Sequence, residues 1–167
     1  MNIFSRTFFA VGALTFAVSA LAGMPLKVEG AWVHSTVPGQ QGAAAFMTLT
    51  AQQPLRLVGV SSPVAGTADL HQMKREGEVM TMRPLSQLEL PAGRAVELSA
   101  SGYHLMLQDL KQPLRPGTMV PLTLVLRDAK GVESKVELKL PVAARAPAGA
   151  ASMPAMGGMN ATDGHKH

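Results

Sequence analysis

Two histidines and four methionines fall on three neighbouring segments with strand-like alternation: His71 and Met73, Met80 and Met82, His104 and Met106. Side chains two apart on a strand leave the same face, so each pair points one way. A hairpin turning through Glu76-Gly77 as a two-residue loop predicts His71 opposite Met82 and Met73 opposite Met80, with all four on one face. Two imidazoles and two or more thioethers form a soft, uncharged donor set that suits Cu(I). Zinc is served less well, because it prefers thiolate, imidazole or carboxylate to thioether. Magnesium and calcium need oxygen donors that the cluster lacks. Any one of these methionines alone reads as core packing, since methionine fills irregular gaps. Core packing does not, however, call for two His-x-Met pairs and a Met-x-Met pair at one parity. His34 stands outside this pattern and reads as a hydrogen-bonded structural residue. Asp69, two before His71, is a candidate partner for an imidazole nitrogen.

Competing chemistries are removed by what the chain lacks. It has no cysteine, which excludes disulfides, thiolate metal sites, cysteine nucleophiles, lipid attachment through cysteine and the His₂Cys centre of blue-copper electron transfer. Gly-x-Ser-x-Gly, His-Glu-x-x-His and a phosphate-cradling glycine loop are also missing, so the expectation is a protein that is not an enzyme. A net charge of +4, spread along 167 residues, supplies no basic patch for nucleic acid. Hydrophobic residues at 47% suffice for a packed core, and charged residues at 16% leave a weakly charged surface.

The elements that must position the donors are strands. Runs with period-two or continuous apolar character cover Val28–His34, Ala43–Thr50, Leu55–Ser61, Thr67–Lys74, Glu78–Leu85, Arg94–Ser99, Tyr103–Gln108, Thr118–Arg127 and Val132–Leu140, separated by Gly/Pro breaks. No stretch holds a helical period for three turns. An all-β body of this kind buries its apolar faces as a two-sheet Greek-key sandwich or barrel.

Residues 1–22 read as a secretory signal peptide: Arg6, an apolar run, then Ala20-Leu21-Ala22 as the small-x-small cleavage site. The apolar run is too short to span a bilayer, so the expectation is a periplasmic protein with no membrane span after cleavage. Phe4, Phe8, Phe9 and Phe16 leave with it, while every methionine but Met1 stays. Thioethers are an oxidative liability in an exported chain unless buried or used. Residues 23–142 then form the domain. Residues 143–167 turn to Ala, Pro and Gly, a composition expected to be disordered. This tail carries Met153, Met156, Met159, His165 and His167, a possible flexible site for a second copper, as Cu(II) through the histidines.

With these residues in view, the chain resembles the PCuAC periplasmic copper chaperones, whose motif is His-x10-Met-x21-His-x-Met. His71, Met82, His104 and Met106 meet that spacing throughout. Ala31-Trp32-Val33, Pro38-Gly39, Ala44-Ala45-Phe46-Met47, Met82-Arg83-Pro84 and Gly102-Tyr103-His104-Leu105-Met106-Leu107 are similar to the family as well, over roughly residues 28–140. The resemblance implies a cupredoxin-like β-sandwich that binds one Cu(I) at an exposed rim through those four residues. Met73 and Met80 are possible auxiliary ligands. It further implies delivery for copper-centre assembly to cytochrome c oxidase subunit II, directly or through a thiol-bearing assembly factor, by a monomer. The chain departs from the family at His34, where arginine is expected after Trp-Val. Two alternatives remain open at this level: copper buffering or resistance, and an exported β-sandwich that binds a protein partner without metal.

Overall fold

Alternation builds the body. Along Ala43–Ala51, every second residue (Ala43, Ala45, Met47, Leu49, Ala51) is buried, and the intervening ones are half-exposed. The structure, a computed structural model, describes residues 25–148. Ten strands follow in chain order: β1 (Leu26–His34), β2 (Ala43–Ala51), β3 (Leu55–Ser61), β4 (Thr67–Glu76), β5 (Val79–Leu85), β6 (Leu88–Leu90), β7 (Ala95–Leu98), β8 (Tyr103–Gln108), β9 (Met119–Asp128) and β10 (Glu133–Ala143). Nine coincide with the sequence-predicted runs within a few residues. The tenth, β6, has three residues, too few for alternation to register.

The strands run in the order β5-β4-β8-β7-β2-β1-β10-β9-β3-β6. β1 joins the two layers by pairing antiparallel with β2 and parallel with β10, at Val33 opposite Val142. One core fills the space between the layers. It takes Leu70, Leu98, Leu105 and Leu107 from the first layer and Leu57, Leu122, Leu124, Leu126 and Leu140 from the second. This is the all-β sandwich that the strand pattern predicts, and no helix among the described residues is long and apolar enough to cross a membrane.

Two local features set what the outer face of the first layer carries. In β1 the register slips between Glu29 and Trp32, so that two residues on β1 oppose one on β2. Gly30, at φ +57°, accommodates this bulge. The extra residue inverts the parity of β1: Leu26 points to the core before the bulge and Val33 after it, while Trp32 goes to the outer face opposite Phe46. β2 is shared lengthwise: Ala43–Ala45 pairs with β8, and Met47–Thr50 pairs with β7. β8 is thereby held between β4 and the first half of β2.

Candidate metal centre

β4 is the middle strand of the site, with β5 on one side and β8 on the other. Its core-facing residues are apolar at Leu70, which pairs with Leu85 and Leu105. The opposite face carries the odd-numbered residues of β4 (Asp69, His71, Met73, Arg75) and their even-numbered partners. His71 pairs with His104 on β8 and with Pro84 on β5, Met73 pairs with Met82, and Asp69 pairs with Met106. All four motif residues, with Met73 and Met80, therefore share one face.

The hairpin register differs from the expectation by two residues. Glu76 pairs with Val79, so the loop is Gly77-Glu78 rather than Glu76-Gly77. Gly77 has φ +68°, and Asp109 is the only non-glycine with positive φ among the described residues. A positive φ at the first loop position followed by a negative one is the sign pattern of a type II′ turn, which puts glycine first. A loop starting at Glu76 would ask an L-residue to take that conformation. Because the slip is two residues, parity survives. Met82 nonetheless sits diagonal to His71 instead of opposite it, with Met73 as its direct neighbour. On the reverse face the Arg83 guanidinium donates to Glu76 at 2.6 Å and the Thr81 hydroxyl donates to the Lys74 carbonyl at 3.2 Å, tying the two strands together.

The two imidazoles lie with ring centroids 6.0 Å apart and planes inclined by 26°. They are the buried polar residues of the domain, His71 at 7% exposure and His104 at 4%. In each ring Nδ1 is buried and has no hydrogen-bond partner. An unmet buried polar atom of this kind costs about 1–3 kcal/mol. Burial pushes the His104 pKa below the ordinary imidazole range; His71 pushes it the same way, and the backbone of Gly102 pulls it back. Both effects disfavour the proton that would compete with a metal.

The sulfurs surround these rings with a gradient of exposure. Met106 and Met73 are half-buried, whereas Met80 and Met82 are 44% and 51% exposed. Beside Met106 on β2 stands Ala44. No group of three or more His, Asp or Glu converges among the described residues, which leaves no hard-ligand alternative there. A soft ion fits: two buried imidazole nitrogens lacking partners, flanked by thioethers.

Other sequence-predicted residues fall as follows. The rim expectation holds for Met82 but not for the imidazoles, which sit within the sheet face and are buried. Asp69 is exposed, stands opposite Met106 and does not hydrogen-bond Nδ1 of either ring, so it does not orient them through that atom. His34 is a structural residue, its Nδ1 2.8 Å from the Ser35 carbonyl oxygen. Met153, Met156, Met159, His165 and His167, like residues 1–22, lie outside the described residues. Sequence reasoning missed an aromatic wall on the outer face. Trp32 is 8% exposed and packs on Phe46 at 5.0 Å between centroids. Continuing the β2–β8 register one step past Ala45 and Leu105 brings Phe46 alongside His104. The only advance signal for that wall was Gly30, the residue that permits the bulge.

A family model described as "Putative lipoprotein LpqE-like" matches residues 26–142. A curated relative, "Putative lipoprotein Lxx21020" of Leifsonia xyli subsp. xyli (strain CTCB07), is 30% identical over 115 residues, 68% of this chain and 69% of that one. Among solved structures, Cu(I)-bound DR1885 from Deinococcus radiodurans is 32% identical, with a TM-score of 0.57 over 74% of this chain and 82% of that one. Apo-DR1885 is 31% identical, with a TM-score of 0.52 over 86% of this chain and 95% of that one. The apo PCuAC domain from PmoF1 is 23% identical and shares the fold, with a TM-score of 0.59 over 73% of this chain and 96% of that one. The chain thus belongs to the LpqE-like family and has the cupredoxin-like β-sandwich fold of the PCuAC domains.

Proposed function

We propose that this protein is an exported Cu(I) chaperone that holds one ion with His71, Met82, His104 and Met106 and passes it on for assembly of the copper centre of cytochrome c oxidase. The observation that carries the reading is the pair of buried, partnerless imidazole nitrogens on a sheet face whose other donors are thioethers. The Cu(I) form of DR1885, at 32% identity, supports it. Membership in a lipoprotein-type family and the signal-like residues 1–22 support export.

The chemistry is carriage by ligand exchange. Copper is cargo here, and neither bond cleavage nor electron transfer is asked of the site. The buried rings fix two nitrogens at a set separation, and burial holds the His104 pKa down, so the proton competes less with the ion at that ring. The exposed Met82 sulfur is the replaceable ligand. An incoming donor can approach from its side before the histidines let go. Uncharged thioethers bind Cu(I) less tightly than cysteinate, so transfer to an acceptor with thiolate ligands runs downhill.

Titrating the full apo chain with Cu(I) under reducing conditions, read by native mass spectrometry and by melting temperature, tests the site. One tightly held copper and a raised melting temperature are expected, since a ligand of the folded state stabilises it by mass action. H104A/M106A should lose the tightly held copper and most of the rise in melting temperature. Unchanged tight binding by that variant would overturn the assignment. Oxidase activity in cells lacking the protein tests the destination, and normal activity there would overturn the oxidase role.

A further inference from the structure

Three sulfurs stand together toward the turn of the β4–β5 hairpin, beyond the histidine row. Met73 and Met82 are direct cross-strand partners, and Met80 is two residues from Met82 on the same face. Directly opposed side chains have Cβ atoms about 4.5–5.5 Å apart, and same-face neighbours along a strand about 7 Å. Three unbranched, flexible thioethers close that distance without moving the backbone. Core packing does not explain them, because Met80 and Met82 are among the most exposed large hydrophobics of the domain. The strand that carries them is the free edge of the first layer.

We propose that Met73, Met80 and Met82 form a distinct three-thioether station for Cu(I), from which the ion enters and leaves the histidine pair by way of the shared Met82. This deepens the chaperone reading and rests on it for direction of flow, although the station binds Cu(I) by its own donors. It supplies sulfur alone, where the inner site adds two imidazoles, so it binds more weakly. Arg75 enforces the same ranking, for it is the direct cross-strand partner of Met80 and shares the face of the three sulfurs. A guanidinium roughly 6 Å from a Cu(I) ion in water weakens its binding about threefold at low salt. An incoming ion therefore has a weak, accessible stop followed by a strong, buried one.

Methyl-labelled methionine NMR on the full chain, titrated with Cu(I) under reducing conditions, tests the station residue by residue and separates it from the tail methionines. In the native sequence, the first equivalent should shift the Met106 and Met82 methyls, and the second those of Met73 and Met80. In H71L/H104L the Met73, Met80 and Met82 methyls should still respond, at lower affinity. In M73L/M80L the first equivalent should bind as before, while loading slows at least several-fold. R75Q should tighten the second equivalent about threefold. Met73 and Met80 methyls that stay unmoved through two equivalents would overturn the station and leave the histidine site standing. Station methyls that respond while His71 and His104 variants bind the first copper normally would overturn the histidine site instead.

Discussion

His71 and His104 face each other directly across β4 and β8, their ring centroids 6.0 Å apart, and the Nδ1 atom of each is buried without a partner. Two buried, stacked rings, each with an unmet polar atom, burden the folded apo protein in a way that a bound ion would relieve.

Replacing both rings with leucine should therefore stabilise the apo protein while removing its tight response to copper. Removing an unmet buried polar atom recovers some part of about 1–3 kcal/mol, and in a domain of this size 1 kcal/mol moves the melting temperature by about 4 °C. H71L/H104L should melt at least a few degrees above the native apo chain and shift far less than it on adding Cu(I), leaving only the weak response of the methionines. A lower apo melting temperature in that variant would mean that the rings serve packing rather than cargo.

The depressed pKa of His104 fixes the sign of a pH effect. The unfolded chain takes up a proton near the ordinary imidazole pKa of about 6.5, whereas the folded chain refuses it until lower pH. The associated stability is complete above about pH 6.5 and is lost as pH falls through the folded value. Thermal melts of the apo chain from pH 8 to pH 5 should decline over the acid part of that range, with a shallower decline in H104L. Cu(I) affinity should fall over the same interval, because copper and proton compete for the ring.

Much of this arrangement could be read from residue types alone. Alternation placed His71, Met73, His104 and Met106 on strands, and parity placed them on one face, because strand periodicity survives any even slip. The register itself depended on which residue of Glu76-Gly77-Glu78 took positive φ. Counting loop length left that open, while glycine's preference for the first position of a type II′ turn resolves it. Trp32 illustrates the opposite limit. A single bulge at Gly30 inverted its face, and a period-two reading carries no sign of where a period breaks. Burial of the imidazoles was equally hidden, since it depends on neighbours contributed by distant strands.

Met106 and Met82 should not be equivalent. The cross-strand neighbours of Met106 are Asp69 and Ala44, so no second sulfur stands beside it. Met82 has Met73 directly opposite. M82L should then weaken Cu(I) by less than about tenfold, with Met73 taking over, whereas M106L should cost about a hundredfold, or roughly 2.7 kcal/mol. M73L/M82L should match M106L. Competition titrations against a Cu(I) chelator measure all three. Equal losses in M82L and M106L would show that Met73 cannot substitute.

The corner between Gly66 and Asp109 sets the register that brings the histidines together, and it is tight. Gly66 donates its N–H to the carbonyls of Gln108 and Asp109, at 3.0 Å each, just before Thr67 pairs with Gln108 to begin the β4–β8 ladder. A Cβ on Gly66 would lie 2.8 Å from the Asp109 Cβ, and Asp109 itself holds φ at +53°, an uncommon conformation for a residue with a side chain. G66A should accordingly destabilise the fold by about 1–3 kcal/mol and weaken Cu(I) binding by disturbing the His71–His104 pairing four residues along the ladder. D109G removes the obstructing Cβ and relieves the positive φ together, so the double variant should recover most of both losses. Denaturant unfolding of the four chains in this cycle supplies the coupling energy. Additive effects would place the cost of G66A elsewhere than in its contact with Asp109.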